Sequence, residues 1–319
     1  MNEFELIKNY FYQLSKKSSG SLKLNDDIFF NKKKKLVVSV DTYVEKKHFF
    51  NFKNPALVIK KIIRSSISDL ICKSVTPKYY FISASGDKKT FSKSNLKKIS
   101  KSLNEEQKKF KIFLSGGDTV FSNKLSFTIV SIGFADKIIY RNKAKLNDDI
   151  YVTGNLGDSY IGLLSLKSKI KLNLVLKKYF INHYFKPNIQ YKLTKNLIKF
   201  ANTSIDISDG LLSDLEKMLN KQKYAYRVEL KKIPISNNLN KILKKKKLSK
   251  INFISKGDDY QVLFTSSKSK RGIIQNFAKK FGCKITKIGV IQKKSQKSSI
   301  IDHNNKEISL KSKGYFHNF

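Results

Sequence analysis

Apolar positions follow two alternating rhythms along the chain: short β-rich runs, and longer stretches in which apolar residues recur every three or four positions. That alternation predicts an α/β or α+β fold. Near the start, Phe4, Ile7, Phe11 and Leu14 fall on one face of an amphipathic helix. Leu36–Val40 reads as a strand ending in Asp41. Asn54-Pro55 pairs a capping side chain with a proline suited to a first turn, so a helix starts there and runs to about Ile71. Tyr79–Ala84 is a second strand, Ser92–Leu103 a helix, and Ile112–Leu114 a strand leading into Ser115-Gly116-Gly117-Asp118-Thr119. Phe127–Ile132 is another strand.

Near residue 140 the pattern restarts. Tyr151–Gly154 is a strand ending in a glycine turn, a helix follows from about Ser159, and Pro187 opens another. Ser204–Ile207 is a short strand that delivers Asp206, Ser208 and Asp209 to the next helix. Ile233–Ser236 is a loop, and Gly257–Asp259 a turn before a strand at Tyr260–Thr265. A helix near 269–281 and a strand near 284–291 complete the pattern. A chain of 319 residues is long enough for two domains. The expected division is 1–140 and 141–319.

Charge changes this picture less than its size suggests. Lys and Arg total 65 and the net charge is +41, but only Arg64, Arg141, Arg227 and Arg271 are arginines. Lysine is spread along the whole chain beside abundant Asn, Ile, Phe and Tyr, all with A/T-rich codons. Compositional bias accounts for that better than a nucleic-acid surface, which calls for clustered basic residues rich in Arg. The runs Lys32–Lys35 and Lys244–Lys247 read as solvated loops or helix ends. No uninterrupted apolar run approaches about 18 residues, so no membrane span is expected. The N-terminus lacks a basic start followed by an apolar block, so it does not read as a signal peptide. Cys72 and Cys283 stand far apart, as reduced thiols of a cytoplasmic protein do.

The acidic residues carry more. Asp outnumbers Glu by 16 to 8, although Glu is the better surface helix former. Many Asp sit at strand ends and turns, where a short, stiff carboxylate suits a hard, oxygen-loving cation. Six clusters stand out: Asp26-Asp27, Asp41-Thr42, Ser68-Asp69, Gly117-Asp118-Thr119, Asp206–Asp209 and Asp258-Asp259. Singly, each reads as a solvated turn, an exposed polar helix face or a capping aspartate. Together, carboxylates converging in one cleft would repel unless cations neutralised them, and a triphosphate with several Mg²⁺ ions meets that need. The P-loop and protein-kinase signatures are missing. The four histidines sit on no nucleophile elbow, and two isolated cysteines do not make a zinc site.

Taken in chain order, these segments resemble the thiamine-monophosphate kinase family, within the aminoimidazole-ribonucleotide-synthetase-like superfamily. The likeness runs from Glu3–Ile7 to Lys313-Gly314-Tyr315. Its most specific stretches are Asp41 to His48-Phe49 and Ile205-Asp206-Ile207-Ser208-Asp209-Gly210-Leu211. The resemblance implies a two-domain fold with ATP as co-substrate and thiamine monophosphate as acceptor. It also implies a homodimer paired through the sheet of the N-terminal domain. It assigns several Mg²⁺ ions to Asp27, Ser39, Val40, Asp41, Asp69, Asp118, Asp206 and Asp209. Nucleotide falls to Gly117, Asp118, Arg141 and Ser208, and acceptor to His48, Asp258 and Tyr315. Asp209 and Arg141 would serve catalysis. The chain departs from the family pattern at Asn25, Val40, Val120-Phe121, Cys72–Ser74 and Asp258, the last one methylene shorter than the usual Glu. Three other readings stay open: a sister enzyme of the superfamily with another acceptor, a lysine-rich nucleic-acid-binding protein, and a degraded paralogue that binds nucleotide without catalysis.

Overall fold

Period-two alternation in the first half of the chain builds a sheet with one covered and one open face. The computed structural model describes residues 3–302 and 304–308. It opens with a helical lead: α1 (Glu3–Leu6), a π-helical turn (Ile7–Phe11) and α2 (Tyr12–Ser15). The expected amphipathic lead is thus helical, but Phe11 and Leu14 stay exposed. The first sheet comprises β1 (Ile28–Asn31), β2 (Leu36–Val44), β3 (Thr76–Gly86), β4 (Phe113–Phe121) and β5 (Ser126–Phe134), in the order β1-β2-β5-β3-β4. All neighbours are antiparallel except β3 and β4. Helix α3 (Pro55–Cys72) packs across β2, β5 and β3, and α4 (Lys93–Phe110) packs on α3. Asn54 caps α3 as the sequence predicts, its side chain accepting from Leu57 N–H. Val58, Ile59, Ile62, Ile63 and Ile67 of α3 join Tyr80, Phe127 and Ile129 of the sheet in one core.

The register fixes which side chains share a face. Asp41, Ile129, Ile82 and Gly117 form one cross-strand row on the helix-covered face. One residue along, Thr42, Thr128, Ser83 and Asp118 form a row on the open face, where the Thr42 and Thr128 hydroxyls meet at 2.9 Å. The rows Val40–Val130–Phe81 and Val38–Ile132–Tyr79–Phe113 continue that open face.

The second half forms another sheet, in the order β11-β8-β10-β6-β9-β7. In chain order its elements are β6 (Asp149–Thr153), α5 (Asp158–Leu166), α6 (Leu174–Phe185), β7 (Thr203–Asp206), α7 (Leu211–Leu219), β8 (Tyr224–Glu229), α8 (Asn237–Lys246), α9 (Ile251–Ile254), β9 (Val262–Ser266), α10 (Arg271–Phe281), β10 (Ile285–Lys293) and β11 (Ser299–Ile301). Strands β7 and β9 and helix α7 bury Ile205, Leu211, Leu212, Leu215 and Leu263 in the largest core.

Pro187 does not open a helix. The helix precedes it, ending at Phe185, and two short 3-10 turns (Tyr191–Leu193 and Leu197–Lys199) follow before β7. Proline disfavours helical backbone at the residue before it, so it stops this helix rather than starting one. The helix itself is masked in sequence because its apolar residues are spread around all sides.

Candidate active site

One helix face organises the cleft. Along α3 and its C-cap, Lys61, Ser65, Ser68-Asp69 and Cys72-Lys73 recur at helical spacing, and Lys61, Ser68 and Lys73 reach toward the second half. Ser68 Oγ donates to Asp206 Oδ2 at 2.6 Å, Lys73 Nζ to the Ser204 carbonyl at 3.0 Å, and Lys61 Nζ to Asp258 Oδ1 at 2.6 Å. Asp69 turns back to the sheet, where Ser39 Oγ donates to its Oδ2 at 2.5 Å. Between these elements lies a cleft of about 690 Å³, lined by Asp27, Val40, Asp41, His48, Asp69, Arg141, Asp206, Ser208, Asp209 and Asp258, among others.

Carboxylate oxygens of Asp27, Asp69 and Asp206 lie within 4.8 Å of one another. Burial, then the neighbouring charges of Asp41 and Asp206, push Asp69 well above the ordinary carboxylate range. Burial raises Asp206, and burial followed by the charge of Asp206 pushes Asp41 up to about 6. Asp41 Oδ2 is buried and receives no hydrogen bond. A compact set of hard oxygen donors, one of them orphaned, fits a small divalent cation. Positive groups stand around it. Arg141 pairs with Asp27, Lys217 pairs with Asp209, and Lys73 holds the buried Asp26 at 2.7 Å. Asp214 accepts from the backbone N–H of Asp209 and of Gly210, both at 3.0 Å, and so fixes the turn that carries Asp209. On the far wall, Val44 N–H donates to His48 Nδ1 at 3.0 Å, which leaves the proton of a neutral ring on Nε2.

The chain matches known proteins over its whole length. Residues 24–135 match the family model for the AIR synthase related protein, N-terminal domain. The thiamine-monophosphate kinase of Buchnera aphidicola subsp. Acyrthosiphon pisum is 35% identical, over 99% of this chain and 98% of its own. That of Haemophilus influenzae is 32% identical, over 92% and 90%. Among solved structures, AaThiL complexed with AMPPCP and TMP superposes with a TM-score of 0.85 at 25% identity, covering 99% of this chain and 97% of that one. The chain belongs to the thiamine-monophosphate kinase family.

Most of the residues that the thiamine-monophosphate kinase resemblance assigns meet in this cleft. Ser39 lies just behind it, buried and bonded to Asp69. Gly117 and Asp118 do not reach it. They sit within β4, an exposed edge strand, and Asp118 belongs to the open-face row, opposite to the side that carries Asp41. Gly-Gly-Asp-Thr, which alone reads as a turn, is extended here as part of β4, and a Cβ on Gly117 would lie 1.8 Å from the Ile82 carbonyl oxygen. Only glycine lets β4 pass so close to β3 at their register shift. Tyr315 lies outside the described residues. Sequence reasoning missed Lys61, Lys73, Asp214 and Lys217. Lys61 and Lys73 had one usable signal, their helical spacing with Ser65 and Ser68-Asp69, but it is hidden in a chain where lysine is everywhere.

Proposed function

We propose that this chain moves the γ-phosphoryl group of ATP onto the phosphate of thiamine monophosphate, giving thiamine diphosphate and ADP, the last step in making that product. One observation carries the reading in a chain of this family: a single cleft joins the carboxylate cluster and Arg141 to His48 and Asp258 on its other wall. The acceptor phosphate is already ionised near neutral pH, so the chain needs no strong general base. Its work is alignment and charge compensation. The Arg141 guanidinium presents a planar fork of N–H donors to phosphate oxygens, and Ser208 adds a hydroxyl. His48 and Asp258 hold the acceptor, with Tyr315 as its aromatic partner. Asp27, Asp41, Asp69, Asp206 and Asp209, with Ser39 and the Val40 carbonyl, would hold Mg²⁺. Bound there, Mg²⁺ would offset the negative charge of the transferring phosphate.

The proposal extends to assembly. The division into 1–140 and 141–319 separates a pairing and nucleotide half from a half that completes the site. Two copies pair through the open face of the first sheet, and the part played by Gly117 and Asp118 in holding nucleotide and metal is tied to that pairing. A cytoplasmic setting agrees with two buried free cysteines. No described helix is long and apolar enough to cross a membrane. The test is direct: incubate the purified protein with ATP, Mg²⁺ and thiamine monophosphate and separate the thiamine esters. Thiamine diphosphate is the expected product. Its absence, or its formation only from free thiamine, overturns the reading.

A further inference from the structure

Lys61 is fully buried, yet it carries a charged side chain through the middle of the molecule. Its Nζ lies 2.6 Å from Asp258 Oδ1 and 3.4 Å from the Tyr184 carbonyl, and 3.9 Å from the centre of the Tyr184 ring. Tyr260 Oη donates to the same Asp258 oxygen at 3.2 Å. Both donors converge on Oδ1, so contact with a ligand in the cleft falls to Oδ2. The backbone beneath is held as firmly. Gly257, Asp258 and Tyr260 all have positive φ, at 73°, 62° and 49°. That costly conformation is secured by Asp258 N–H to the Ser208 carbonyl and Tyr260 N–H to the Ile207 carbonyl, each at 2.8 Å. An aspartate has a single methylene, so once its backbone and one oxygen are fixed, the other oxygen is fixed too.

As a device for stability alone, this arrangement is poor. Burying an ammonium is costly, and an apolar residue of the same length would fill the space as well. The pair also bridges the two halves, from α3 to the turn before β9. We propose that Lys61 is a positioning residue for the acceptor: it sets the direction of Asp258, and through Asp258 it governs how tightly thiamine monophosphate is held while leaving ATP untouched. The inference rests on the proposed reaction.

The experiment compares wild type, Lys61→Met, Asp258→Asn and the double variant, measuring KM separately for thiamine monophosphate and for ATP. Lys61→Met is expected to raise the acceptor KM about tenfold or more, with the ATP KM within about twofold of wild type. The double variant is expected to match Asp258→Asn, because Lys61 acts only through Asp258. An unchanged acceptor KM in Lys61→Met, or an equal rise in both KM values, overturns the proposal. If Lys61→Met does not fold, the double variant, which leaves no unpaired buried charge, is set against Asp258→Asn; a further rise in its acceptor KM overturns the proposal and equality supports it. Wild-type turnover separates the two claims. If wild type makes no thiamine diphosphate, both fall; if it does and the Lys61 variants behave as wild type, only this one does.

Discussion

Asp41 shows how a single side chain can be unfavourable for folding and required for binding. One of its oxygens is buried without a hydrogen bond, and burial together with Asp206 pushes the carboxyl up to about 6. In an unfolded chain the same group titrates near 4. Between those values the folded protein binds more protons than the unfolded one, so stability falls as pH rises through that window, and the full cost is present above it. Asp69 and Asp206 shift in the same direction, both chiefly by burial. In a chelator, then, the melting temperature of Asp41→Asn should gain on wild type as pH rises from about 5 to about 7, by several degrees. Millimolar Mg²⁺ near neutral pH should stabilise wild type, do so far less in Asp41→Asn, and leave that variant about a hundredfold or more slower in turnover. A pH-independent difference would remove the electrostatic account. Full Mg²⁺ stabilisation of Asp41→Asn would remove Asp41 from the cation site.

At the scale of elements, two turns act as one part. The turn after β7 carries Ser208 and Asp209, the turn before β9 carries Asp258, and a Cβ on Gly257 would lie 2.0 Å from the Ser208 carbonyl oxygen. Gly257→Ala cannot be absorbed by a side chain moving aside, because the clash is with backbone. It should cost about 1–3 kcal/mol of stability and lower turnover at least tenfold by displacing Ser208 and Asp209. Gly282 is the control: it too has positive φ, 59°, but open space around it. Gly282→Ala should cost about 1 kcal/mol and leave turnover unchanged. Equal kinetic effects in thermal-melting-matched assays would show that the turns are not coupled. These same turns explain what was legible beforehand. Aspartates at strand ends announce themselves because a short carboxylate beside Gly or Ser is local chemistry, and Asp206, Asp209 and Asp258 all met in the cleft. Gly116–Thr119 misled because Gly117 answers to the β3 backbone, a partner some thirty residues away that no local pattern reports. Helix α6 was missed for a different reason: its apolar residues fall on all sides, with Leu174 and Val175 exposed and only Phe180, Tyr184 and Phe185 buried, so no single period stands out.

For the whole molecule, the distribution of charge points to a covered surface. Lys and Arg make up 65 of 319 residues, yet none occupies the four cross-strand rows of the open sheet face from Val38–Phe113 through Val44–Ser126–Ser85–Val120. In a chain with so much lysine, an uncovered face of this extent would be expected to carry several. Instead Val40, Tyr79, Phe113 and Val120 are exposed there, with Phe134 one row beyond, and the ammonium of Lys78 lies 4.8 Å from the centre of the Phe113 ring at that end. An exposed apolar face of this kind marks an interaction surface, and the strong net charge elsewhere would resist any less apolar contact between two copies. Light scattering should therefore give twice the mass of one chain. Tyr79→Glu with Phe134→Glu places like charges at the Phe113 end of that face and should give monomers. Both side chains already face solvent in the single chain, so its melting should change little. Turnover should fall at least tenfold, because Asp118 projects from this face and not into the cleft of its own chain. A variant that remains dimeric would show that the copies pair elsewhere. A monomer with full turnover would show that Gly117 and Asp118 contribute nothing through pairing, and that each chain completes its site alone.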